Sequence, residues 1–121
     1  MEYIHHLYID GWRKLEKMDI EKFIELKEKY MTCTKCPELV EYRTQVVFGS
    51  GNPKSKILFL GEAAGANEDR QGIPFCGMSG KVLNELLESV ALSREDIFIT
   101  NTILCRPPNN RNPKKEEMNN C

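Results

Sequence analysis

The chain has 121 residues, 40% of them hydrophobic and 29% charged, which excludes a disordered class and allows one domain. A formal net charge of −1 supplies no global basic field, so any contact with nucleic acid must come from a local patch. No apolar run approaches the roughly 20 residues of a membrane span, and MEYIHHLYIDGW lacks the basic-then-apolar layout of a signal peptide. The expectation is a cytoplasmic protein without a membrane, where disulfides are disfavoured and Cys33, Cys36, Cys76, Cys105 and Cys121 need another account.

Residues 19–30, DIEKFIELKEKY, predict a helix with Asp19 as N-cap and Ile20, Phe23 and Ile24 as its apolar stripe. TCTKCPEL follows with a cysteine pair, then QVVFG (45–49) as a short strand and GSGNPKSK (49–56) as turn material. KILFL (56–60) reads as a buried strand. Residues 61–80, GEAAGANEDRQGIPFCGMSG, read as one long loop, too glycine-rich for a helix and too charged for a buried strand. Ser79 then caps a helix whose Leu83, Leu86, Leu87 and Val90 keep the i, i+3, i+4, i+7 rhythm, and a second buried strand follows near Ile97–Thr100.

Strand, loop, helix and strand make a βαβ unit with parallel strands and a right-handed crossover. In such sheets ligands gather at the carboxyl ends of strands, where GEAAG and Asn101 lie. In the tail, Arg106, Arg111, Lys114 and Lys115 form the most basic stretch, and Pro113 opens a last helix. Two or three parallel strands leave much apolar surface uncovered, so the chain reads as incomplete.

Cys33-x-x-Cys36 is a weak signal alone, open to a redox pair, a zinc half-site or coincidence. Cys105 and Cys121 have 15 residues between them, and 68 residues separate them from the first pair. Four thiolates from distant segments suit either zinc or an iron–sulfur cluster, which spacing leaves level, and the plain alternative is four unrelated buried cysteines. Cys76 reads as a core or pocket-wall thiol. The glycine-rich loop has no phosphate-cradle motif, and Glu62, Glu68 and Asp69 would repel phosphate. Its carboxylates suit water activation or a neutral polar ligand; the plain alternative is a solvated loop. Phe75 is either a core plug or a flat platform for a ring. Asn101 is either a turn-former or a side-by-side donor and acceptor that reads an imide edge. His5 and His6 read as exposed and inert.

Taken together, GEAAGANED, GIPFCG, ITN at 99–101 and CRPPNNRNP at 105–113 followed by Cys121 closely resemble family 4 uracil-DNA glycosylases over residues 31–121. The resemblance implies an α/β, parallel-sheet, three-layer uracil-DNA glycosylase-like fold, here the N-terminal part of it, with residues 1–30 a helical extension. It implies hydrolysis of the N-glycosidic bond of deoxyuridine in DNA, in base-excision repair, by a protein that is a monomer at full length. It also implies a [4Fe–4S] cluster on Cys33, Cys36, Cys105 and Cys121.

By the same resemblance Phe75 stacks on the flipped uracil and Asn101 pairs with its edge. Glu62 and the Ala63 backbone line the pocket floor and position water, and Glu68 crowds the C5 side against thymine's methyl. The cluster orders the segment from Arg106 to Lys115 into a local basic patch. Two departures stand out. Ala64 replaces the proline of the family's GE-x-PG, and a histidine-bearing motif of the family's second half is absent, so a complementing C-terminal fragment is a candidate partner. The alternatives are a non-catalytic iron–sulfur or zinc module binding DNA or a protein, and a phage DNA-polymerase-related protein of the same superfamily.

Overall fold

A computed structural model describes residues 9–121, with side chains from Asp19 onward. His5 and His6 lie outside the described residues. The first helix, α1 (Ile9–Met31), begins well before Asp19, so Asp19 is an interior residue rather than a cap. Of the expected stripe, Phe23 carries the packing. Its ring meets Phe48 and Phe98 edge-on at 5.6 and 5.5 Å, while Ile20 and Ile24 stay exposed. Pro37 opens α2 (Pro37–Tyr42), where its missing N–H costs nothing in a first turn.

QVVFG forms no strand. Val46, Val47 and Phe48 are nonetheless buried, and the segment runs beside the end of the central strand through Val47 N–H to the Leu104 carbonyl at 2.7 Å. The short β1 (Ser50–Gly51) follows, inside what the sequence marked as a turn. Next come β2 (Leu58–Ala63), α3 (Ala66–Gln71), α4 (Met78–Ser89), a 3₁₀ turn at Arg94–Asp96 and β3 (Phe98–Ile103). A second 3₁₀ turn at Pro108–Asn110 precedes α5 (Lys115–Asn120).

The sheet order is β1-β3-β2. β2 and β3 are parallel as expected, and the two-residue β1 lies antiparallel on the other edge of β3. Phe98 faces α1 through Phe23, whereas Ile97 and Ile99 pack with Leu83 and Leu87 of α4, so helices lie on both sides of the sheet. This is the three-layer α/β arrangement.

Several boundaries differ from the sequence reading. Both strands run three residues further than expected, which puts Gly61, Glu62 and Ala63 in β2 and Asn101 inside β3 rather than past it. The supposed loop 61–80 holds a helix: Gly72, at φ 76°, ends α3 in the left-handed conformation that glycine adopts without penalty. Gly77, not Ser79, stands at the N-cap of α4. On α4, Leu83 and Leu87 are buried, but Leu86 and, at the C-cap, Val90 are about 60% exposed. On β2, the buried-strand expectation fails likewise: Leu58 and Leu60 are 60% exposed, because β2 is an edge strand covered on one face.

Candidate active site and thiol pocket

The parallel register sets Gly61 opposite Asn101. Asn101 shares the inward-facing row of β3 with Ile99 and Ile103 and is 6% exposed. Its side-chain amide makes no hydrogen bond among the described residues and opens onto a cleft of about 100 Å³. Glu62, Ala63, Glu68, Phe75 and Ser79 line the same cleft. A methyl group on Gly61 would run into Asn101 Oδ1 and come within 2.8 Å of the Phe75 ring. Glycine is therefore what lets the amide and the ring meet over β2.

The wall of the cleft is held from within. Phe75 sits at φ 53°, a sparsely populated conformation for a bulky side chain. Glu68 reaches back to the Gly65 N–H with Oε1 (3.0 Å), and with Oε2 accepts from the N–H groups of Cys76 and Gly77, both at 3.1 Å. Burial pushes the Glu68 carboxyl up, but the Cys76 thiol and these N–H donors outweigh it and hold it below its ordinary value. Cys76 is a loop thiol at 3.4 Å from that carboxylate, raised by burial and by the charge beside it, and it lies apart from the other cysteines. Buried Asp69 accepts the Thr44 N–H at 2.8 Å and ties α3 to the segment after α2.

The second constellation lies just past the carboxyl end of β3. Cys33, Cys36, Cys105 and Cys121 line one mainly apolar pocket with Tyr30, Leu39, Val46 and Ile103. All five cysteines of the chain are free thiols. Arg43 Nη1 donates to Cys105 Sγ at 3.3 Å, and Asn120 Nδ2 lies 3.8 Å from Cys36 Sγ. Burial pushes the Cys105 and Cys121 thiols up, Cys105 against the pull of Arg43. Among the described residues no three Cys, His, Asp or Glu side chains close on one point as a single cation requires. Four thiols lining one pocket are a donor set of a kind that either a single cation or a polynuclear cluster takes.

Around the thiols the tail is stapled down. Arg111 holds buried Glu117 through two parallel bonds of 2.8 and 2.9 Å, and Arg111 and Lys114 both reach Glu38 of α2, at 3.2 and 2.9 Å. Two of the four cations read as a basic patch are thus neutralised within the chain.

The sequence profile of the uracil DNA glycosylase superfamily matches residues 48–121, which contain the whole cleft. The chain belongs to the uracil DNA glycosylase superfamily. It is 46% identical to the type-4 uracil-DNA glycosylase of Sulfurisphaera tokodaii, over 80% of this chain and 44% of that protein. It is 47% identical to the type-4 enzyme of Archaeoglobus fulgidus, over 84% of this chain and 51% of that one. The type-5 uracil-DNA glycosylase of Thermus thermophilus is 31% identical over 86% of the chain. The chain spans about half the length of the type-4 relatives it matches.

The structure brings together every cleft residue that the sequence singled out, and separately the four cysteines. Sequence reasoning missed Gly61, Ser79 and Arg94 as parts of the cleft or its frame. A glycine inside an apolar strand pattern was the available signal for Gly61. For Arg94 there was none.

Proposed function

We propose that the chain is the N-terminal portion of a uracil-DNA glycosylase, acting on deoxyuridine in DNA by hydrolysis of the N-glycosidic bond. The observation that carries this reading is the buried amide of Asn101, without a partner among the described residues and facing a cleft beside an aromatic ring. A ligand entering the cleft takes the amide's donor and acceptor from water, and one that does not pair with both leaves them unsatisfied at a cost. Uracil's O4 and N3–H match its donor and acceptor, and cytosine presents the reverse order. Extruding a base costs a few kcal/mol, and stacking on Phe75 returns about 1–3 kcal/mol.

Glu62, exposed at the cleft, is the carboxylate for orienting the attacking water. Glu68 acts on the C5 side by keeping the Cys76–Gly77 backbone in place beside the ring, which excludes thymine's methyl. The four thiols of the apolar pocket would hold a [4Fe–4S] cluster, which when bound cross-links the start of α2, the exit of β3 and the end of α5. Among the described residues Arg106 and Lys115 form no ion pair, Arg106 donating to Asn110 Oδ1 at 2.8 Å, and they are the tail's cations for the DNA backbone. A cytoplasmic setting fits an enzyme acting on DNA, and no described helix is long and apolar enough to cross a membrane.

The test is binding and uracil release with oligonucleotides that differ only in one uracil or thymine. Wild-type protein is expected to prefer uracil, and Asn101→Ala to lose that preference by about a hundredfold or more, since sites built to hydrogen-bond a ligand discriminate strongly. Equal binding of both oligonucleotides by the wild type sinks the reading and leaves a non-catalytic module. About four irons per chain after anaerobic purification is the expected metal content; zinc in their place overturns the cluster.

A further inference from the structure

Phe75 is held in a backbone conformation that bulky residues avoid, and its cause lies outside the cleft. A residue at φ 53° is strained and persists only where its surroundings over-determine it. Glu68 holds the N–H groups that follow Phe75, and on the carbonyl side of the turn one side chain does the holding. Arg94, beyond the far end of α4, sends its guanidinium back along the helix. Nη1 donates to the Pro74 carbonyl at 3.1 Å, and Nη2 donates to the Phe75 carbonyl and, at 3.4 Å, to that of Gly80. Nε donates to Asn84 Oδ1 at 2.6 Å, which fixes the fork on α4 itself. Gly80 completes the fit, because a Cβ there would overlap the Phe75 carbonyl oxygen. Arg94 does not line the cleft.

We propose that Arg94 is a positioning residue: its guanidinium gathers the Pro74, Phe75 and Gly80 carbonyls and so sets the Phe75 ring over Gly61 and Asn101. This rests on the reading of Phe75 as the platform for the base. A planar fork with several donors is required, since a lysine ammonium in that place is a point charge that cannot span carbonyls on both sides of the turn while bonding Asn84.

The experiment combines a double-mutant cycle with NMR. Uracil-over-thymine preference is measured for wild type, Arg94→Gln, Phe75→Ala and the double variant, and the ring-current shift of the Asn101 side-chain amide is recorded in each. Arg94→Gln is expected to cut the preference about tenfold and to abolish the ring-current shift. The double variant is expected to be no worse than Phe75→Ala, because the arginine acts only through that ring. Arg94→Lys should fall between, and it carries the same cycle if Arg94→Gln does not fold. A wild-type ring-current shift in the variants, or penalties that add in the cycle, overturns the proposal. If wild-type protein shows no uracil preference, the glycosylase reading is what fails, and the ring-current shift alone decides for or against Arg94.

Discussion

The cleft and the thiol pocket are served by the same strand, β3, yet they are organised in opposite ways. The cleft wall is braced by the chain's own polar groups: Glu68 holds Gly65, Cys76 and Gly77, and Arg94 holds Pro74, Phe75 and Gly80. Those donors and acceptors are satisfied before any ligand arrives, whereas among the described residues the Asn101 amide makes no hydrogen bond. The thiol pocket instead draws its four sulfurs from three separate parts of the chain onto an apolar lining, with few polar groups to fix them. Its frame is one remove away, in the Arg111–Glu117 and Lys114–Glu38 pairs. One wall is braced before any guest arrives, and the other gathers thiols with little to fix them.

The strongest way to break that contrast is to remove the thiol pocket's capacity altogether. Cys105→Ser, at the buried thiol, should abolish bound iron while leaving the amide spectrum of residues 61–80 as in the wild type. Collapse of both together would mean that the cleft depends on the cluster after all.

Next in size is Gly61→Ala. The added methyl meets Asn101 and Phe75, so uracil preference should disappear and stability should fall by about 1–3 kcal/mol, the usual range for overpacking. Thermal melts and the paired oligonucleotides read both effects.

Glu68→Gln sharpens the cleft's side of the comparison. Several N–H groups lose a charged acceptor, so unfolding free energy should drop by about 1.5–3 kcal/mol in denaturant titrations at neutral pH.

On the other side, the Glu117 carboxyl is held down to about 2, chiefly by the Arg111 guanidinium. A depressed carboxylate contributes stability above its unfolded value near 4.5, and that contribution is lost as pH falls through 2. The wild type should therefore weaken across that window, and Glu117→Gln should show a flatter acid limb from a lower plateau at neutral pH. The smallest effect belongs to Leu86→Lys on the outer face of α4, expected within about 0.5 kcal/mol of the wild type in melts of the isolated chain.

Much of this was legible in the sequence, and the failures share a cause. ILFL and IFIT announced their strands, but both strands ran on into polar residues, because parallel pairing with a neighbour extends a strand beyond its apolar run. The period of Leu83, Leu86, Leu87 and Val90 announced α4, but the side of the helix that faces the sheet is narrower than that rhythm, so two of the four are outside. The glycines of 61–80 were read as a loop signal throughout. Six residues with good helix formers between Gly65 and Gly72 still make a turn and a half, since the glycines stand at its ends.

Residue chemistry is local, and the sequence by itself determined it: four cysteines able to ligate, an amide after an apolar strand, an aromatic between a proline and a glycine neighbourhood, and a match of motif to family. What the tertiary structure alone decided is which of these meet. Register put Gly61 opposite Asn101, and a guanidinium some twenty residues downstream in sequence set the backbone of Phe75. Folding of α5 against α2 brought Cys121 to the pocket of Cys33 and Cys36. Such meetings depend on strand pairing and long-range hydrogen bonds, whose energies join residues far apart in the chain and leave no periodic trace in it.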